Sequence, residues 1–129
     1  MALRIAVPSN CDSGLDGPIS EHFGHTPCFV LIDIEGDAIK DVKVIRNPHY
    51  LEHRPGVVPE FLAEKGVNLI ICRGMGWRAQ NIFQQYGIKV ITGAEGRIRD
   101  AIRAYLEGRL VSREYKPARR WHEERFKPW

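Results

Sequence analysis

Residues 67–91 read VNLIICRGMGWRAQNIFQQYGIKVI, and the fold turns on how apolar runs and glycines alternate within this stretch. Val67 to Cys72 is almost wholly apolar, as expected of a strand buried on both faces. Arg73-Gly74-Met75-Gly76 interrupts it. Met75, Ala79, Ile82, Phe83 and Tyr86 then recur at helical spacing, Gly87 suits a helix stop, and Ile88 to Ile91 reads as another strand. A strand, a helix and a strand in succession make a crossover, so the two strands lie parallel and the helix packs on the sheet.

The same reading extends in both directions. Between Val57 and Lys65 the apolar positions Val57, Val58, Phe61 and Leu62 fall on one helical face, with Pro59 in the first turn and Gly66 at the stop. Ile98, Ala101, Ile102, Tyr105 and Leu106 form the stripe of a last helix, ended by Gly108. Near the start, Leu3, Ile5 and Val7 alternate with Arg4 and Ala6 until Pro8-Ser9-Asn10 breaks the strand. After a long loop, Cys28 to Ile32 is turned by Glu35-Gly36-Asp37 into Ile39 to Ile45, a hairpin. The order is β-β-β-α-β-α-β-α. Two crossovers put helices on both faces of the sheet, so a three-layer α/β domain is expected. The ribonuclease H-like arrangement has this order: five strands in a mixed sheet, 3-2-1-4-5, with strand 2 antiparallel to the rest.

With 129 residues, 43% of them hydrophobic, the chain suits one core. We expect a single domain over residues 1–110 and a basic, aromatic extension over 111–129. No apolar run approaches the roughly 18 residues of a membrane span, and the stretch after Met1 is too short for a signal peptide, so a soluble cytoplasmic protein is expected. Cys11, Cys28 and Cys72 are odd in number, widely spaced and without a Cys-x-x-Cys pair, which fits a reducing compartment. Residues 109–129 hold seven Lys or Arg against three acids, a balance of +4 that leaves about −1 for the rest of a chain of net charge +3.

Topology gathers the loops. Strand 1 ends, strand 2 begins and strand 3 ends at one edge of the sheet, and strands 4 and 5 deliver their following loops to it. That rim is expected to collect Cys11, His22, His25, His49, His53, Arg73-Gly74-Met75-Gly76 and Thr92 to Gly96. It includes the switch point where open α/β sheets leave a ligand crevice. A helix starting at Gly76 points free N–H groups and the positive end of its dipole there, which favours an anion.

Ile19-Ser20-Glu21-His22-Phe23-Gly24-His25, His53-Arg54-Pro55-Gly56-Val57-Val58-Pro59, Gly74-Met75-Gly76-Trp77-Arg78-Ala79 and Gly87-Ile88-Lys89-Val90-Ile91-Thr92-Gly93 occur in this order. Together they resemble the dinitrogenase iron-molybdenum cofactor biosynthesis family over roughly residues 3–110. The resemblance implies a non-enzymatic binding or carrier protein for an anionic metal-sulfur cluster, whether Fe-Mo-S, Fe-S or Mo-Cu-S, with cluster donor and acceptor proteins as partners. It implies His22 as the leading ligand, and His22, Phe23, Gly24, Gly74, Met75 and Gly76 as the cluster contacts. Read from the residues themselves, His25, His53 and Cys11 are further candidate metal ligands. Each also has a plain structural reading: capping or hydrogen bonding in a tight turn for His22 and His25, a solvated mobile loop for His53, a small buried hydrophobe for the cysteine.

Other chemistries fit less well. Gly74-Met75-Gly76-Trp77-Arg78-Ala79 is a degenerate dinucleotide fingerprint with Glu95 downstream, but the chain has no room for a substrate domain. No Gly-Lys-Ser/Thr is present, which excludes a P-loop. Asp12, Asp16 and Asp33 are the acids near strands 1 and 2, and none lies within strand 1, against two-metal nuclease chemistry. The alternative is an interaction or regulatory module without a cluster. Its tail, with Tyr115, Trp121, Phe126 and Trp129 among basic residues, then serves for homodimerisation in preference to nucleic-acid contact.

Overall fold

A computed structural model of the chain describes residues 2–51 and 56–113. Its elements are β1 (Ala2–Ser9), a short 3-10 turn (Gly14–Asp16), β2 (Cys28–Glu35), β3 (Ala38–Arg46), α1 (Val57–Glu64), β4 (Leu69–Ile71), α2 (Trp77–Gln85), β5 (Lys89–Ile91) and α3 (Ile98–Leu106). The sheet runs β3-β2-β1-β4-β5, with β2 antiparallel to both neighbours and β1, β4 and β5 parallel. This is the expected mixed sheet. Among the described residues no helix is long and apolar enough to cross a membrane.

Strand periodicity separates two cores. Ile5 and Val7 of β1, Val30, Ile32 and Ile34 of β2, Leu69 and Ile71 of β4 and Ile91 of β5 pack with Ile98, Ala101 and Ile102 of α3. The intervening residues Ala6, Phe29, Leu31 and Ile70 face the other way, onto Val58 and Leu62 of α1 and Phe83 of α2. Successive side chains of a strand point to opposite faces, so a central strand covered on both sides must be apolar throughout. One helix covers one face and two cover the other, the three layers expected.

All three helices end by the same device. Gly66 has φ +77, Gly87 φ +76 and Gly108 φ +75, conformations that glycine adopts without a Cβ penalty. At α1, Gly66 N donates to Ala63 O and Val67 N to Leu62 O; at α2, Gly87 N donates to Gln84 O and Ile88 N to Phe83 O. Each pair satisfies carbonyls left over at a helix end, and the apolar residue after the glycine drops back onto the core. Val67 and Ile88 are accordingly buried outside the strands they precede.

β3 is an edge strand, and its ladder with β2 is irregular. Asp33 pairs with Asp41 but Ile34 with Ile39, so Lys40 is an extra residue, a β-bulge. The bulge explains the uneven Ile39, Val42, Val44 spacing. These three lie opposite Ile34, Ile32 and Val30 and so share the α3 side of the sheet. At the end of the sheet away from the rim, Arg4 of β1 grips Asp33 of β2 in two parallel bonds, Nε to Oδ1 at 2.7 Å and Nη2 to Oδ2 at 3.0 Å. Arg4 Nη1 also donates to Lys65 O at 2.6 Å, fastening the end of α1.

Candidate functional site

The rim is assembled by backbone bonds between its loops. Ser20 N donates to Pro8 O, Ile19 N to Gly96 O, Gly93 N to Arg73 O and Ala94 N to Cys72 O. The loops after β1, β4 and β5 are thereby bound to one another. The loop before β2 is tied in by side chains. Thr26 Oγ1, buried, lies 2.9 Å from Ser9 O and 3.0 Å from Cys28 O. Asn47, buried at the end of β3, donates through Nδ2 to Thr26 O at 3.0 Å and toward Gly24 O at 3.4 Å, while its Oδ1 accepts from His49 N at 2.9 Å. Buried amides are retained where all their bonds are made, and here those bonds hold two loops in register.

Within the His22-Phe23-Gly24-His25 segment the side chains divide by chemistry. Phe23 is buried, its ring centroid 5.4 Å from that of Phe29 and 5.4 Å edge-on from that of Phe83. An aromatic anchor of this kind fixes the segment on the α1/α2 core. His22, Gly24 and His25 stay on the surface. His25 Nδ1 lies 3.5 Å from Tyr50 O, a long approach to the loop after β3.

The Gly74-Met75-Gly76 segment repeats this plan. Met75 packs against the same apolar cluster that receives Phe23. Gly76 is exposed and forms the N-cap of α2 with no side-chain cap, so the first N–H groups of that helix face the rim. Arg73, half-buried, lies in the same loop, three residues before that N-cap. Two loops, each anchored by its middle residue in one cluster, thus present histidine and glycine backbone at one edge.

Neither Gly24 nor Gly76 is required by the fold itself. Neither has a positive φ, and a Cβ added at either would meet nothing within 4 Å. Gly93 is the contrast: its φ is +86, and an added Cβ would lie 2.7 Å from both Cβ and O of Arg113. There the chain itself needs the space. Arg113 N donates to Thr92 O and Thr92 Oγ1 to Arg113 O, so residues 112–113 are bound at the rim.

Cys11 is where the structure departs most from the expectation. Its sulfur is bonded to that of Cys28 across a sequence separation of 17, with Cα atoms 5.3 Å apart. While that bond stands, Cys11 has no thiolate to offer a metal, which corrects its place among the ligands. An odd number of cysteines is compatible with one bonded pair and one free thiol, which is the arrangement found. Cys72 is the free cysteine, and burial pushes its thiol up to about 12, so it stays protonated.

Of the remaining candidates, His49 is half-buried with its ring edge-on to Phe61 at 5.9 Å, turned toward α1. His53 and the tail residues Tyr115, Trp121, Phe126 and Trp129 lie outside the described residues, as does the dimer contact expected of the tail. The acids do not converge: Asp33 is taken by Arg4, and Asp16 by Arg99 at 3.0 Å. Among the described residues no group of three or more His, Cys, Asp or Glu could hold a metal ion. A groove of about 540 Å³ runs along α2 and β5, lined by Trp77, Gln80, Gln84 and Lys89 among others, and His22, His25 and Cys11 do not border it. Sequence reasoning missed Thr26 and Asn47; the Asn47-Pro48 pair was legible only as a loop signal.

The sequence model of the dinitrogenase iron-molybdenum cofactor family matches residues 1–108. The uncharacterized protein MJ0580 of Methanocaldococcus jannaschii is 32% identical over 110 residues, 84% of this chain and 89% of that protein. Among solved structures, PH0822 is similar with a TM-score of 0.77 and 37% identity, covering 86% of this chain and 96% of its own. The apo form of the orange protein from Desulfovibrio gigas is similar with a TM-score of 0.71 and 30% identity, covering 85% and 92%.

Proposed function

The chain belongs to the dinitrogenase iron-molybdenum cofactor family, and from that premise we propose that it carries an anionic metal-sulfur cluster on its loop rim and catalyses no reaction itself. The observation that carries this reading is the pair of glycines, Gly24 and Gly76, that neither backbone conformation nor internal packing demands. A bulky ligand resting on the backbone accounts for both.

The donor set favours a preassembled cluster over a bare ion. Three side-chain ligands are not gathered among the described residues. A preassembled cluster has most of its metal coordination supplied by sulfide, so it needs fewer protein ligands than a bare ion and is also held by hydrogen bonds to its sulfurs. His22 is the anchoring ligand in this reading, with His25 and His53 as secondary contacts. The N–H groups at the start of α2 and the Arg73 charge stabilise the anion. Phe23 and Met75, turned inward, contribute through their backbone and by holding the loops. Residues 1–110 are the carrier unit, to which 111–129 is an extension, and other proteins load and unload the cargo.

The test is a titration of anaerobically purified protein with tetrathiomolybdate, followed by visible absorption and elemental analysis. Stoichiometric uptake that weakens at least tenfold in His22→Ala is expected. No uptake, or equal uptake by wild type and His22→Ala, overturns the reading.

A further inference from the structure

The Cys11–Cys28 bond closes a covalent loop whose interior, residues 12–27, includes His22 to His25. Its two halves are held very differently. Cys28 is 1% exposed and sits in the ladder on both sides, opposite Ser9 of β1 and Arg46 of β3. Cys11 is half-buried in a bend outside any strand, where Asn10 Oδ1 accepts from Asp12 N at 3.0 Å and Ser13 N at 3.2 Å. One cysteine is therefore fixed in the core and the other lies in a partly exposed bend.

We propose that this bond is a thiol–disulfide exchange site, opened by a dithiol reductant attacking Cys11, and that its state sets the freedom of residues 12–16. An incoming thiolate attacks Cys11 Sγ; the Cys11–Cys28 bond breaks, and Cys28 leaves with the electron pair and takes up a proton. The second thiol of the reductant then attacks its own sulfur in the mixed disulfide and releases Cys11. Two electrons and two protons pass to the protein, and the reductant ends as a disulfide. Attack selects the less buried cysteine, and the resulting Cys28 thiol stays in place as a small buried hydrophobe. Cys11 is left at the rim as a free thiol. Cys72 takes no part, being buried on the α1/α2 side of the sheet.

Opening the bond leaves most of the loop held. Phe23 still packs on Phe29 and Phe83, and Thr26 and Asn47 keep their bonds. The stretch from Asp12 to Asp16 loses its tether at Cys11 and keeps its bonds to Asn10 Oδ1 and the exposed Arg99–Asp16 pair. Gly17 to Ser20 stay held, because Gly17 O accepts from Ile98 N, Ile19 N donates to Gly96 O, Ser20 N donates to Pro8 O, and the Ile19 side chain is buried in the α3 core. The loosened part is thus the turn that follows β1 at the rim. Its bearing on cargo rests on the preceding proposal, whereas the following measurements read thiols and amides alone.

Full-length protein purified in air and alkylated in guanidinium should show one reactive thiol, Cys72, and three after dithiothreitol. In the reduced native protein, pulse alkylation should modify Cys11 at least tenfold faster than Cys28. Amide exchange across residues 12–16 should rise at least tenfold on reduction while that of 19–20 and 23–26 holds. Cys11→Ser, which opens the loop without disturbing the buried partner, should reproduce the reduced pattern. Three reactive thiols in the air-purified protein, equal alkylation of Cys11 and Cys28, or unchanged exchange in both the reduced protein and Cys11→Ser would each overturn the proposal.

Discussion

Asn47 Nδ2 lies 3.0 Å from Thr26 O, and through this bond the exit from β3 is fastened to the loop that carries His22 and His25. Both residues are buried, so the bond forms away from solvent competition. Asn47→Ala leaves several backbone groups without their partner and should cost about 1–3 kcal/mol in chemical denaturation. Asn47→Asp should cost at least as much, because a carboxylate cannot donate to Thr26 O or Gly24 O. An Asn47→Asp protein as stable as wild type would show that the amide does not hold these loops.

Phe23 and His22, adjacent in sequence, should respond to substitution in opposite ways. Phe23→Ala removes a buried ring packed on two others and should cost about 3–5 kcal/mol. His22→Ala, on the surface, should change stability by less than about 0.5 kcal/mol. Melting curves for the two variants check this directly.

Gly24→Ala offers a sharper separation of fold from cargo. With no positive φ and nothing near an added Cβ, stability should change by less than about 1 kcal/mol. Tetrathiomolybdate binding should nevertheless weaken at least tenfold. Gly93→Ala should do the reverse. Its φ of +86 and the 2.7 Å approach of Arg113 make a cost of about 2 kcal/mol or more the expected result.

The Arg4–Asp33 pair gives a pH signature. Its hydrogen bonds with Arg4 hold the Asp33 carboxyl below its ordinary value of 3.8, and the same bonds raise Arg4. A depressed folded-state carboxyl stabilises the protein above the unfolded value, and that contribution is lost as pH falls through the folded one. Asp33→Asn should therefore cost about 1 kcal/mol at pH 7, discounted for partial exposure, with the gap from wild type closing below pH 4. A gap that persists at pH 2 would point to packing instead of charge.

Removing the disulfide should be felt in stability as well as in loop motion. A closed loop of this length is worth about 3 kcal/mol on chain-entropy grounds. Dithiothreitol and Cys11→Ser should lower the denaturation midpoint by similar amounts, and a difference between them beyond about 1 kcal/mol would implicate the introduced hydroxyl.

The fold was legible where its cause is local. Gly66, Gly87 and Gly108 end apolar periodicities, and each closes a helix in the structure with positive φ. The buried runs of β2 and β4 announced a sheet covered on both faces. What stayed hidden depends on pairing through space. Ile39 and Val42 have an odd spacing whose meaning lies in the register with β2, and Leu15, alone among Gly and Asp residues, gives no sign of the 3-10 turn around it. At the site, the convergence of the loops follows from strand direction. The bond between Cys11 and Cys28 does not follow from their spacing, nor does the burial of Asn47 from an Asn-Pro pair that marks an ordinary turn.

The extra residue at Lys40 also bears on how the molecule meets its neighbours. A regular nine-residue border of unpaired amides and carbonyls is a template on which another chain could lie. The bulge breaks its straightness between Ile39 and Asp41, and the exposed charges of Lys40, Lys43 and Arg46 would have to be brought against an incoming strand. Sheet growth is thereby disfavoured on this side, and β3 is a poor template for pairing one copy of the chain with another.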